Sequence, residues 1–171
     1  AQSFLDERLV PLIESNLAKY QVLPTQIIFE ITESASINNL AATRKMIEKL
    51  NILGCHFSID DFGTGFSTFN YLKQLPAQHV KIDGSFVCDM LNDPIDLALV
   101  KAINDISHSL DKRSVAEYVE TEEVFFALKE IGVDYGQGYF IARPMPIKGV
   151  KSELEKILKN KTFYQQQASK K

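Results

Sequence analysis

Residues Phe57–Thr64, Phe-Ser-Ile-Asp-Asp-Phe-Gly-Thr, alternate apolar side chains up to two adjacent carboxylates and then open into a glycine-bearing turn. Alternation of this kind is the pattern of a half-buried strand. A strand that ends on Asp60-Asp61 cannot bury that end in an apolar core, because unpaired charges cost several kcal/mol each to bury. The fold must therefore deliver the strand's C-terminal end to a polar mouth.

The rest of the chain repeats the plan. Leu5, Leu9, Ile13 and Leu17 form a helical stripe, with Ser3 or Asp6 available to cap it and Pro11 expected to kink or shorten it. Ile27–Glu33 reads as a strand, Ser34–Ser36 as the cap of a helix to about Leu53, and Cys55–Asp60 as the second strand. Phe66–Leu75 reads as a short helix, His79–Asp83 as a third strand and Asp96–Leu110 as an amphipathic helix. Ser114–Val119 is expected to be a fourth strand, Thr121–Ile131 a helix, Gly136–Ile141 a fifth strand and Ile147–Leu158 a last helix. The polar residues 160–171 are expected to form a frayed tail.

Helix and strand alternate throughout, the signature of parallel α/β architecture. The choice lies between an open doubly wound sheet and a barrel. The lack of a glycine-rich phosphate loop after the first strand weighs against the open sheet.

Side chains two apart on a strand share a face. On one face fall Ile28 and Glu30, then Ser58 and Asp60, His79 and Lys81, Val115 and Glu117, and finally Gln137. Every strand thus carries one polar or charged residue near its C-terminal end, the active-site end of a β/α barrel. Acids and one amine in a common mouth suit Mg²⁺ or Mn²⁺, which prefer oxygen ligands. His56, His79 and His108 lack metal-ligand spacing, so a zinc site is not indicated. Cys55 and Cys88 are expected to be reduced thiols in apolar surroundings, and Asp83 to cap no more than a turn.

The composition fits a globular domain: 171 residues, 45% hydrophobic and 24% charged. A net charge of -3 argues against a nucleic-acid polymer or a membrane surface as partner. No apolar run reaches the ~18 residues of a membrane span. The chain begins Ala1-Gln2-Ser3-Phe4 without a start methionine, which reads as a piece of something longer.

Five motifs in order, F-E-I-T-E-S at Phe29–Ser34, D-D-F-G-T-G at Asp60–Gly65, V-K-I-D at Val80–Asp83, A-E-Y-V-E at Ala116–Glu120 and G-Q-G-Y at Gly136–Tyr139, resemble the EAL domain. That family hydrolyses cyclic di-GMP, a bacterial second messenger. The resemblance implies an α/β, TIM-like (β/α) barrel with about five of eight strands present, an EAL domain over residues 1–159 truncated at its N-terminus, and a polar tail beyond. It implies hydrolysis of one phosphodiester to linear pGpG by two Mg²⁺ or Mn²⁺ ions that activate a water. Glu30 and Asp60 would bind metal, Asp61 and Glu117 would complete the second ion's shell, and Lys81 would contact the attacking water or the phosphate. Gln137 and Glu120 would hold water, metal or nucleotide, and Glu33 would anchor the loop Phe62–Thr68, the family's usual dimer contact.

The Glu-Ala-Leu signature and the family's metal-binding Asn would lie upstream of Ala1, so the 171-residue chain alone is expected to show little hydrolysis. Tyr118 stands where the family usually has Gly, and Gly84 where it usually has Arg; strand alternation predicts that Tyr118 packs outward. The competing reading is a degenerate EAL domain that senses cyclic di-GMP without cutting it; an unrelated metal-dependent hydrolase is the third. Open strand edges at Ile27–Glu33 and Gly136–Ile141 predict a homodimer or strand-swapped self-association. A GGDEF or sensory domain upstream is expected, as is a cytoplasmic location, with the parent protein anchored in the inner membrane as a variant of that expectation.

Overall fold

In a computed structural model of the chain, residues 6–64 and 69–168 are described, without the side chains of residues 37, 38, 69 and 159–168. The elements run α1 (Leu9–Tyr20), β1 (Ile28–Thr32), α2 (Glu33–Asn38), α3 (Leu40–Leu53), β2 (His56–Phe62), α4 (Phe69–Gln74), β3 (His79–Ile82), α5 (Gly84–Asp89), α6 (Pro94–Ser109), β4 (Arg113–Ala116), α7 (Glu122–Ile131), β5 (Tyr135–Gly136) and α8 (Ile147–Ala168). The expected helix start at Leu5, its Ser3 cap, and the residues Phe66 and Thr68 lie outside the described residues.

The five strands form one parallel sheet in the order β1-β2-β3-β4-β5. That order separates the two architectures left open by the sequence. A doubly wound sheet reverses direction at a switch point, whereas each strand here pairs with its successor, as in a β/α barrel wall. One face of the sheet is dry: Phe57, Ile59, Val80, Ile82 and Ala116 are fully buried, under Met46, Ile47 and Leu50 of α3, Val100 and Ile103 of α6, and Leu128 of α7. The other face is the one on which strand alternation places Glu30, Asp60 and Lys81.

Several element boundaries differ from expectation, each for a local reason. The first strand stops at Thr32, whose hydroxyl accepts from the Ala35 N–H and so starts α2; Glu33 becomes its first helical residue. The single helix expected to Leu53 is two, because Asn39 leaves helical geometry and caps α3 through the Ala42 N–H. The described α1 begins at Leu9 rather than at the expected Asp6 cap, so that Pro11 falls in the first turn, where no intrahelical N–H is required. Asp83 caps a helix, α5, that the sequence reading omitted; its carboxylate accepts from the Ser85 N–H at 2.8 Å. The fourth strand ends at Ala116 rather than Val119, because Tyr118 takes a left-handed φ of 53°.

The fifth strand is two residues long rather than six. Gly138 passes so close to the Val119 backbone that a Cβ there would overlap it, and the chain turns instead of extending. The last helix continues past Leu158 to Ala168. Cys55 is buried as expected, but Cys88 is exposed; both are free.

Candidate metal and phosphodiester site

Lys81, on β3, lies at the centre of the polar mouth. Its Nζ is 2.6 Å from Glu117 Oε1, 2.7 Å from Asp60 Oδ1 and 3.3 Å from Glu30 Oε1. Three different strands or strand ends thus meet on one ammonium. The Lys81 side chain is 6% exposed, Glu117 13%, Asp60 22% and Glu30 51%, so the group grades from a dry floor to an open side at β1. Burial alone would lower the lysine's pKa; the Asp60 and Glu117 carboxylates outweigh it and hold the ammonium protonated well above the usual lysine range.

Asp61 joins by a different device. On a regular strand it would point opposite to Asp60. Between β2 and β3 the register slips by one residue, from Ile59 beside Val80 to Phe62 beside Ile82, and Asp61 adopts φ 55°. This bulge turns the Asp61 carboxylate back toward its neighbour. Oxygens of Asp60, Asp61 and Glu117 consequently all lie within 4.8 Å of one another, a spacing that can hold a metal ion.

The donor chemistry fits a hard divalent cation. All the donors are carboxylate oxygens, and they are under-compensated: burial and the adjacent Asp60 and Asp83 carboxylates raise the Asp61 pKa, with Lys81 only partly opposing. Glu117 is also raised, by burial first and then by Asp60 and Asp61, although Lys81 pulls the other way. A single ammonium shared among several acids cannot neutralise all of them, and a cation would relieve both shifts.

Glu33 is 2% exposed, and its Oε2 accepts from the Gly63 N–H at 3.0 Å, tying the turn after the Asp pair to α2. Glu120 and Gln137 are exposed, and among the described residues neither side chain is hydrogen-bonded or ion-paired to the lysine group. Gln137 instead fixes the backbone there, its N–H donating to the Ala116 carbonyl at 2.8 Å. Ser58, on the Asp60 face of β2, was not singled out from sequence; it is buried, and its Oγ has no partner among the described residues. The parity that selected Asp60 also selects Ser58. Tyr118, expected to pack outward, is 61% exposed, its ring against Gly84 at the start of α5. Among the described residues, no His or Cys belongs to a group spaced to bind metal.

Comparison with known proteins identifies the family and the fold. Residues 1–144 match the family model described as EAL domain. The chain is 40% identical over 141 residues to the cyclic di-GMP phosphodiesterase PdeF of Escherichia coli, covering 82% of this chain and 19% of that protein. It is 41% identical over 134 residues to the cyclic di-GMP phosphodiesterase PdeB of Shewanella oneidensis, covering 78% and 16%. The chain therefore spans less than a fifth of the length of these curated relatives. Among solved structures, a PaMucR phosphodiesterase in complex with c-di-GMP superposes with TM-score 0.82 at 37% identity, over 86% of this chain and 60% of that one. The FimX EAL domain of Pseudomonas aeruginosa bound to c-di-GMP gives 0.78 at 32%, over 84% and 59%.

Proposed function

This chain belongs to the EAL domain family, and we propose from that premise that it supplies the catalytic floor of a cyclic di-GMP phosphodiesterase. The observation that carries the proposal is the convergence of Glu30, Asp60 and Glu117 on Lys81, with Asp61 folded into the same group by a bulge. In this reading Glu30, Asp60, Asp61 and Glu117 hold Mg²⁺ or Mn²⁺. Bound divalent cations would offset the phosphodiester's charge and acidify a water.

The chain's own residues then have distinct tasks. Lys81, held by Glu117 and Asp60, keeps its more distant contact with Glu30 as the one a phosphate oxygen or the attacking water would displace to meet the ammonium. Glu33 keeps the Gly63 turn closed, so that Asp61 holds its left-handed geometry. Glu120 and Gln137, both exposed, would position nucleotide or water. Attack by water on one phosphorus and departure of the ribose oxygen would give linear pGpG. The acceptor-rich mouth of a chain with net charge -3 repels a dianionic ligand unless a cation is present, which makes strict metal dependence the expected behaviour.

The wider setting proposed is a cytoplasmic EAL domain with a GGDEF or sensory domain upstream, paired with a second copy through the turn after Asp61. No helix among the described residues is long and apolar enough to cross a membrane. The alternative, a receptor that binds cyclic di-GMP without cutting it, makes the opposite prediction in one assay. With purified protein containing this chain, cyclic di-GMP should yield pGpG with Mn²⁺ and none with EDTA. Binding that survives EDTA, with no pGpG under either condition, would establish the receptor instead.

A further inference from the structure

Tyr118 and Gly84 form a pair at the mouth that the catalytic roles above do not use. Tyr118 follows Glu117 directly and is held at φ 53°, a left-handed conformation that is uncommon for a bulky residue. This twist takes its side chain out of the strand alternation and across to the β3–α5 junction. There the ring lies against Gly84, where any Cβ would overlap ring carbons Cδ2 and Cγ. Val119, the next residue, is fully buried, so the backbone under the ring is fixed. The ring nevertheless stays 61% exposed.

Backbone strain kept at a site mouth, with a glycine opposite that makes room for it, points to use of the ring surface. Asp61, the other left-handed non-glycine residue at this rim, belongs to the acidic group itself. We propose that Tyr118 is a stacking platform for a planar purine base of the ligand whose phosphate lies over Lys81, with Gly84 as the seat that sets the ring's tilt. The inference rests on the cyclic di-GMP reading and names a binding residue for it. A flat, exposed ring one residue from Glu117 of the Lys81 group matches a nucleotide, because every base offers a π face to an aromatic side chain.

The test uses purified protein containing this chain, with Mn²⁺ and cyclic di-GMP. Tyr118→Ala should raise KM about tenfold or more, and Tyr118→Phe should keep KM near wild type. Tyr118→Gly relieves the backbone strain, so it controls for folding; it should show the same KM rise as Tyr118→Ala. Mn²⁺ affinity should be equal in all three variants, which a general distortion of the rim would not allow. Wild-type KM in both the Ala and Gly variants overturns the platform while leaving the phosphodiesterase reading intact. A wild-type protein that neither binds nor cleaves cyclic di-GMP overturns both.

Discussion

The two ends of the same sheet each bury a lysine and half-bury acids, and they treat them in opposite ways. At the N-terminal end, Lys112 donates to the carbonyls of Leu75 and Ala77 at 2.8 and 2.7 Å. Asp134 accepts from the Ser114 N–H at 2.9 Å and is paired with Arg113 at 2.8 Å and His108 at 2.7 Å. Every charge there has close partners of the right kind. At the C-terminal end, Glu30, Asp60 and Glu117 share one ammonium, and Asp61 sits in the same group at a strained φ. One end has its charges matched and the other leaves acid in excess of its single ammonium; under the proposed function this is the division expected of a β/α barrel wall.

The contrast can be broken or sharpened by substitution. The largest effect should come from Lys81→Met. It removes the ammonium on which three carboxylates converge and should lower kcat for cyclic di-GMP by roughly 10²–10³-fold, the range for losing a preorganised electrostatic donor; a pGpG time course normalised to folded protein measures it. Asp60→Asn should abolish turnover yet not lower the melting temperature of metal-free protein, because it relieves repulsion among neighbouring acids. A clear fall in that melting temperature would place Asp60 with the structural charges instead.

At the opposite end the signs reverse. Lys112→Met leaves two buried carbonyls unsatisfied and should cost about 1–3 kcal/mol in urea unfolding, with activity per folded molecule retained. Asp134→Asn should cost about 1–2 kcal/mol, since its partners Arg113 and His108 are partly solvent-screened. Burial alone would raise the Asp134 pKa, but the Ser114 N–H, His108 and Arg113 hold it at about 2. A depressed carboxylate stabilises the fold fully above the unfolded value of about 4 and loses that contribution as pH falls through about 2. Wild-type stability should therefore drop across that window, and Asp134→Asn should flatten the drop.

Much of this contrast is legible in the sequence. Glu30, Asp60, Lys81 and Glu117 fall on one face by strand alternation alone, and the apolar runs around them fix five parallel strands. The convergence of Asp61 was not legible from alternation, which sends it to the opposite face; the register slip that reverses it depends on pairing with β3. The break at Asn39 and the helix after Asp83 each rest on one side chain capturing a nearby N–H, a contact too local for periodicity to register. Strand alternation does not govern Tyr118, because the strand ends at Ala116 and Tyr118 takes a left-handed φ. The N-terminal cluster of Asp134, Arg113 and His108 drew no notice, since its members stand far apart in sequence and each alone reads as a surface charge.

The most direct test of the unmet charge is a Mn²⁺ titration followed by the electron paramagnetic resonance of free ion, on wild type, Asp60→Asn and Asp134→Asn. Wild type and Asp134→Asn should deplete the free-ion signal alike, while Asp60→Asn should bind at least about tenfold more weakly, as expected when a carboxylate ligand is lost. Equal Mn²⁺ binding by Asp60→Asn and wild type would contradict the assignment of this rim as a metal site.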